Sequence, residues 1–257
     1  MIPVAIQLFT LREACQQDMK QTLERVKAIG FQGVELAGYG NLTVEEVRAI
    51  LDALDLSVAG SHVPLTDLIN RLDEVINEQK LLGNTRVVCP FILPEDRTHE
   101  SYQDLPSVLQ SIQLELQSHG MDLLYHHHDF ELEPYSDDEN VLEYLLRTVD
   151  GLKLELDVYW IQKAGKDPIT WINKYKDQLA LVHLKDMTKD ERATFAPLGT
   201  GRTDLSTILN TATPAYWIVE QDQTDGDPFD AIHTSMTFLK NEGVLSDEYI
   251  ISSSHSL

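Results

Sequence analysis

The sequence predicts an α/β fold in which eight strand–helix units close into a single barrel. Three observations predict it. Strand-like and helix-like segments alternate from one end of the chain to the other. Eight such pairs fit within 257 residues, about the length that a (β/α)8, or TIM, barrel takes. The main rival, a doubly wound open sheet, usually needs fewer units, and its dinucleotide form carries G-x-G-x-x-G after the first strand. That motif is absent. Gly199-Thr200-Gly201 follows the seventh strand instead and is weak evidence for a phosphate loop.

The elements follow in order. Residues 4–9 are a short apolar run and read as the first strand. In residues 19–29, Leu23, Val26 and Ile29 recur at helical spacing and Gly30 stops the helix. Residues 33–36 are the second strand; Thr43 then N-caps a helix and Glu46 completes a capping box. Residues 58–63 form strand three, 68–82 helix three, and 87–93 strand four, followed by a turn at Pro94-Glu95-Asp96. Residues 102–119 are a long helix ended by Gly120. Strand five is 122–128, helix five 140–149 and strand six 152–158. Asp167-Pro168 opens helix six with proline in its first turn. Strand seven is 179–184, then a short helix 204–212, strand eight at 217–219 and a last helix 228–241. A single domain, residues 1–245, carries the barrel, and the Ser-rich stretch 246–257 reads as a fraying tail.

Composition bounds the function. The hydrophobic fraction of 42% is enough for a core. No apolar run approaches a membrane span, so no membrane partner is expected. The start shows no basic segment followed by an apolar stretch, so no secretory signal is expected. The only cysteines, Cys15 and Cys89, suit a reducing cytoplasm and ordinary thiols. Net charge is −22, from 42 acidic and 20 basic residues. Nucleic-acid affinity rests on Lys and Arg against phosphates. With no basic run, nucleic acid is not an expected partner.

Chemistry gathers at strand ends. Tyr125-His126-His127-His128-Asp129-Phe130-Glu131 closes strand five. Asp157, His183 and Glu220 end strands six, seven and eight. Strand side chains alternate, so His126 and His128 share a face, as do Glu155 and Asp157. In a barrel these ends face one mouth. Two imidazoles and two carboxylates form a mixed site suited to one divalent Mn, Zn, Fe or Co ion. Magnesium, which prefers oxygen alone, suits it less. Bland readings stand beside these. His127 reads as structural, Glu155 as part of a polar layer, and His99, His119, His233 and His255 as surface residues. Asp167 and Asp204 fit helix N-caps better than Asp157 does.

The chain resembles the sugar phosphate isomerase/epimerase superfamily, the xylose isomerase-like TIM barrels. The resemblance rests on Ile6-Gln7-Leu8-Phe9-Thr10-Leu11-Arg12, Gly33-Val34-Glu35-Leu36-Ala37 and Gly60-Ser61-His62. It continues through the strand-five motif, Leu156-Asp157-Val158-Tyr159-Trp160, Val182-His183-Leu184-Lys185-Asp186 and Val219-Glu220-Gln221-Asp222. It implies a metal at the ends of strands five to eight and a substrate pocket that includes Glu35 and His62, with Lys185 nearby. The chain departs from the group at His126. Well-studied epimerases there carry a Glu that is both ligand and one of two bases, so a second base is unassigned.

The expected function is a divalent-metal-dependent isomerase, epimerase or lyase. Its substrate would be a sugar, keto-sugar, sugar phosphate or cyclitol, and its intermediate an enediolate. Glu220 is the expected base, with His62 or Lys185 returning the proton. Glu35, His128, Trp160 and Phe9 are expected to bind substrate, Trp160 and Phe9 (with Tyr125) by stacking on a sugar ring. The alternatives are a phosphodiester hydrolase related to endonuclease IV, or a non-catalytic sugar-binding barrel. The oligomeric state is open, with a homodimer among the options.

Overall fold

In a computed structural model that describes residues 1–245, eight parallel strands close on themselves. The predicted tail, 246–257, lies outside the described residues. The strands are β1 (Val4–Gln7), β2 (Gly33–Leu36), β3 (Ser57–His62), β4 (Arg86–Cys89), β5 (Asp122–His126), β6 (Lys153–Asp157), β7 (Leu179–Leu184) and β10 (Tyr216–Val219). Their order around the barrel is β1-β10-β7-β6-β5-β4-β3-β2. Closure comes from β1 on β10, where Val4 pairs Trp217 and Ile6 pairs Val219. The helices are α1 (Arg12–Ile29), α2 (Val44–Leu54), α3 (Leu65–Asn70), α4 (Leu72–Leu82) and α5 (His99–Ser118), followed by α6 (Val141–Thr148), α7 (Val158–Lys163), α8 (Pro168–Lys174), α9 (Leu205–Thr211) and α10 (Pro228–Asn241).

Alternation along each strand sorts the interior into two cores. Tyr125, Leu154, Leu156, Val182, Leu184 and Val219 face the helix layer. Ala5, Ala59, Val88, Leu124, Leu181 and Ile218 fill the lumen as an apolar floor. Polar side chains stand on that floor toward the C-terminal ends of the strands, the end where barrels of this kind carry their sites.

Several boundaries differ from expectation for identifiable reasons. The helix expected to begin at Met19 is preceded by a further turn and a half from Arg12. The backbone breaks at Asp18 (φ −156°, ψ 92°), and Asp18 Oδ1 accepts from Gln21 N at 2.9 Å, restarting the helix locally. Strand four stops at Cys89 because Pro90 has no N–H for the ladder. The helix expected over 68–82 is two, parted at Arg71 (φ −138°, ψ 31°). Strand five stops at His126, and the chain turns through a 3-10 helix, Phe130–Leu132. Two elements escaped sequence reasoning altogether: helix α7, which follows β6 without a loop, and a hairpin of β8 (Asp186–Met187) and β9 (Phe195–Ala196).

Candidate active site

The lumen mouth collects one polar side chain or more from most strands. β5 contributes His126, β6 Glu155 and Asp157, β7 His183, and β10 Glu220 just past its end. β1 supplies Gln7, β2 Glu35 and β3 His62. All but His62 are buried, and its side chain is 11% exposed. Gly60 faces the same lumen, and a Cβ there would come within 2.7 Å of Glu35 Oε1, so glycine leaves the Glu35 carboxylate its room.

His183 is the hub. Its Nδ1 donates to Glu220 Oε2 at 2.7 Å and its Nε2 to Glu35 Oε2 at 2.6 Å. Gln7 Nε2 donates to the same Glu35 oxygen at 2.8 Å. His62 Nε2 donates to Glu155 Oε2 at 2.7 Å, and that oxygen also lies 3.2 Å from His126 Nδ1 and 3.3 Å from His183 Nε2. Lys185, buried just beyond β7, sets its Nζ 3.0 Å from Asp157 Oδ2, 2.7 Å from Glu220 Oε2 and 3.0 Å from Asp222 Oδ2.

This packing moves the proton equilibria. Burial alone pushes His62 down, but the charges of Glu35 and Glu155 outweigh it and raise it to about 10. His183 is carried well above its ordinary value in the same way, by Glu155, Glu35 and Glu220 against burial. Glu35 and Glu220 are pushed up by burial yet held low by the neighbouring cations: His62 and His183 for Glu35, Lys185 and His183 for Glu220. Asp222 goes the other way: burial and then the Glu220 charge raise it to about 6. His126 has no compensating anion of that strength, so burial and the charge of His183 hold it well below its ordinary value, as a neutral imidazole.

The four residues expected to bind metal do converge. His126, Asp157, His183 and Glu220 present ligand atoms within 4.8 Å of one another. A deeper set, His62, His126, Glu155 and His183, meets the same limit and shares two members with the first. His126 Nδ1 and Asp157 Oδ2 are buried without an aligned hydrogen bond, their nearest polar neighbours being Glu155 Oε2 at 3.2 Å and Lys185 Nζ at 3.0 Å. A neutral imidazole and a lumen-facing carboxylate oxygen among further N and O donors could hold a divalent transition ion. The surroundings are also those of a ligand set: an imidazole that ligates through one nitrogen ordinarily donates from the other to a carboxylate, as His183 does to Glu35.

Asp157 corrects an expectation. It is a helix N-cap as fully as Asp167 or Asp204: its Oδ1 accepts from Tyr159 N at 2.9 Å and Trp160 N at 3.1 Å. The cap uses one oxygen and turns the other into the lumen. His127 lies on the opposite face, fully buried, where Nε2 accepts from Asp157 N at 3.1 Å and Nδ1 donates to the His128 carbonyl at 3.2 Å. Burial lowers it to about 4, in keeping with that neutral tautomer.

A cavity of about 640 Å³ opens above the cluster, with Phe9, His62, His126, His128, Glu220 and Asp222 on its walls. Phe9 is 42% exposed at the rim. His128 packs 5.2 Å from Trp160, ring centre to ring centre, and the Nδ1 of one and Nε1 of the other are buried without partners. Glu35 lies beneath His62 and His183, off the cavity wall. Tyr125 does not face a sugar site: it packs in the helix-side core and donates to Glu131 Oε1 at 3.0 Å.

Sequence reasoning passed over Glu155 as a lumen hub, Asp222 and Gln7. Strand period offered a signal for two of them, since Glu155 stands two before Asp157 and Asp222 two after Glu220. Gln7 gave none beyond its place in an apolar strand. The Gly199-Thr200-Gly201 stretch wraps an internal carboxylate, not a phosphate. Asp186 Oδ2 accepts from Gly199 N at 3.0 Å and Gly201 N at 2.8 Å, and Oδ1 from Thr203 N at 3.0 Å.

A family model described as xylose isomerase-like TIM barrel matches residues 23–242. Among solved structures, a sugar phosphate isomerase/epimerase from Parabacteroides distasonis superposes with a TM-score of 0.77 at 18% identity, covering 93% of this chain and 95% of that one. An L-ribulose 3-epimerase gives 0.72 at 14% identity, over 94% of each chain. An AP endonuclease, family 2, from Brucella melitensis gives 0.74 at 14%, over 93% of this chain and 98% of that one. Likeness at such identities speaks for the fold alone, and different chemistries share it. No curated protein matches the chain.

Proposed function

The chain belongs to the xylose isomerase-like TIM barrel family, and from that premise we propose a divalent-metal-dependent isomerase, epimerase or lyase. It would act on a sugar, keto-sugar, sugar phosphate or cyclitol by removing a proton next to a carbonyl. The observation that carries the proposal is the gathering of His126, Asp157, His183 and Glu220 within 4.8 Å, below a cavity that His126 and Glu220 help to line. This set is preferred over the deeper one because Glu35 engages His183 Nε2, the nitrogen on the Glu155 side, whereas Nδ1 faces Glu220 and Asp157, so a cation would take the place of the proton it now shares with Glu220. Mn, Zn, Fe or Co bound there would supply Lewis-acid polarisation of a substrate carbonyl.

The chain's own groups supply the proton chemistry. A general base works best with a pKa near the working pH. Glu220, the base expected from sequence, is held low by Lys185 and His183, so its part in this reading is that of a ligand. Asp222 stands on the cavity wall with its carboxyl raised to about 6, and takes the base role. His62, protonated up to about pH 10 and on the same wall, returns a proton to the re-forming or departing centre. Lys185 holds Asp157, Glu220 and Asp222 in register and favours negative charge developing on substrate oxygen. Glu35 orients His183. Phe9 and His128 form an aromatic side for the sugar, and Trp160 backs His128 from behind the cavity wall.

The test is to load the protein with Mn²⁺, dialyse it and measure bound metal. It is then incubated with a panel of keto-sugars and cyclitols in D₂O, with C–H exchange followed by NMR. Wild type should exchange at least one of them. Asp222→Asn should retain metal and lose about 10²-fold or more in exchange, whereas Glu220→Gln should lose metal and exchange together. A metal-loaded wild type that exchanges nothing would sink the enediolate chemistry. Wild-type exchange by Asp222→Asn would return the base role to Glu220, Glu35 or Glu131.

A further inference from the structure

The cavity does not stop at the cluster. It runs outward from His62 between the loop after β2 and helix α4, where Tyr39, Asp67, Arg71, Glu78 and Gln79 form its wall. We propose that this branch is a second substrate subsite, which takes an uncharged sugar ring attached to the part that meets His62 and Asp222. The inference rests on reading the site as a sugar site and names the class of substrate: a disaccharide or other glycoside, not a sugar phosphate.

Three observations support it. The first is room. About 640 Å³ falls in the range that encloses a drug-sized ligand, more than a single monosaccharide fills. The second is charge. Among the described residues, Arg71 is the one Lys or Arg on the cavity wall. Its guanidinium is already engaged by Asp67 at 3.4 Å, Glu74 at 2.8 Å and Glu78 at 3.0 Å. Three carboxylates around one cation leave the branch negative, and a phosphate would be repelled from it. The third is hydrogen-bonding capacity. Carboxylates with spare lone pairs accept from hydroxyls, and Asp67 and Glu78 offer them. Gln79, fully buried, backs the wall beside them, with its Oε1 taken by Asn84 Nδ2 at 2.8 Å. Leu36, Val75 and Pro64 supply apolar wall for the CH face of a ring. The subsite is also pre-set, since Tyr39 donates to Glu78 at 2.9 Å and Arg71 ties α3 to α4 at their break.

The test is isothermal titration of the full chain, in Mn²⁺-containing buffer, with glucose, glucose 6-phosphate, maltose and cellobiose. At least one disaccharide should bind about tenfold or more tighter than glucose, and glucose 6-phosphate no tighter than glucose. Asp67→Trp, at a side chain 39% exposed, fills the branch and should cost the disaccharide about tenfold more than it costs glucose. Glu78→Gln should shift the same ratio in the same direction, with melting curves checking that both variants fold. Disaccharides that bind no tighter than glucose, or a phosphate ester that binds tenfold tighter, would overturn the subsite while leaving the sugar reading in place. Failure of glucose and every other sugar to bind would overturn both.

Discussion

At the scale of the residue, Asp157 shows how one side chain serves fold and site together. Oδ1 caps α7 and Oδ2 faces the lumen beside Lys185. Asp157→Ala should therefore lose two separable things. Metal affinity should fall about tenfold or more. Stability measured in EDTA should fall by about 1 kcal/mol for the missing cap. Asp157→Asn should recover the cap and not the metal. Unchanged metal content in the alanine variant would remove Asp157 from the ligand set. Glu131 gives a pH-dependent counterpart. It is fully buried, accepts from His128 N at 2.7 Å, and is raised by burial from 4.5 to about 8. An acid with a raised folded pKa binds its proton more tightly when folded. The stability it contributes is full below the unfolded value and is lost as pH climbs from about 4.5 toward 8. Glu131→Gln removes that loss, so its melting temperature should gain on wild type steadily between pH 5 and 8. A constant gap across that range would mean Glu131 does not titrate there.

At the scale of the element, the segment between β7 and α9 is folded around the Asp186 carboxylate. Four backbone N–H groups, from Met187, Gly199, Gly201 and Thr203, donate to it. This fixes the β8–β9 hairpin, whose Phe195 packs 5.9 Å from Trp160, ring centre to ring centre. A Cβ on Gly201 would run into Asp186 Oδ1 and the Met187 carbonyl. Gly201→Ala should cost about 1–3 kcal/mol, the usual penalty of overpacking, and should speed hydrogen exchange over residues 186–203. A variant as stable and as protected as wild type would show that this wrap is not tight.

At the scale of the whole molecule, charge decides what the barrel can meet. A net −22 and, among the described residues, a cavity whose one wall arginine is paired with carboxylates argue against a polyanion as partner. The protein should pass through a duplex-DNA column without salt-sensitive retention; tight retention that falls steeply with salt would revive the phosphodiester hydrolase alternative. No helix among the described residues is long and apolar enough to cross a membrane.

Periodicity and caps made much of this legible in the sequence, because both are short-range. The period of two on β5 and β6 set His126, Glu155 and Asp157 on the lumen face before any coordinates. The Thr43–Glu46 capping box and the Asp167-Pro168 start announced α2 and α8, and both are present. The eight-unit alternation named the closed barrel. What the tertiary structure alone decided is which of these side chains meet. Glu35 reaches His183 across 148 residues, and Lys185 gathers three carboxylates from two other segments. Those contacts depend on closure of β1 on β10 and on register shifts at Val34/Glu35 and Leu154/Glu155. Register and closure are properties of paired strands, set by the packing of the whole barrel, and a single strand's pattern does not contain them.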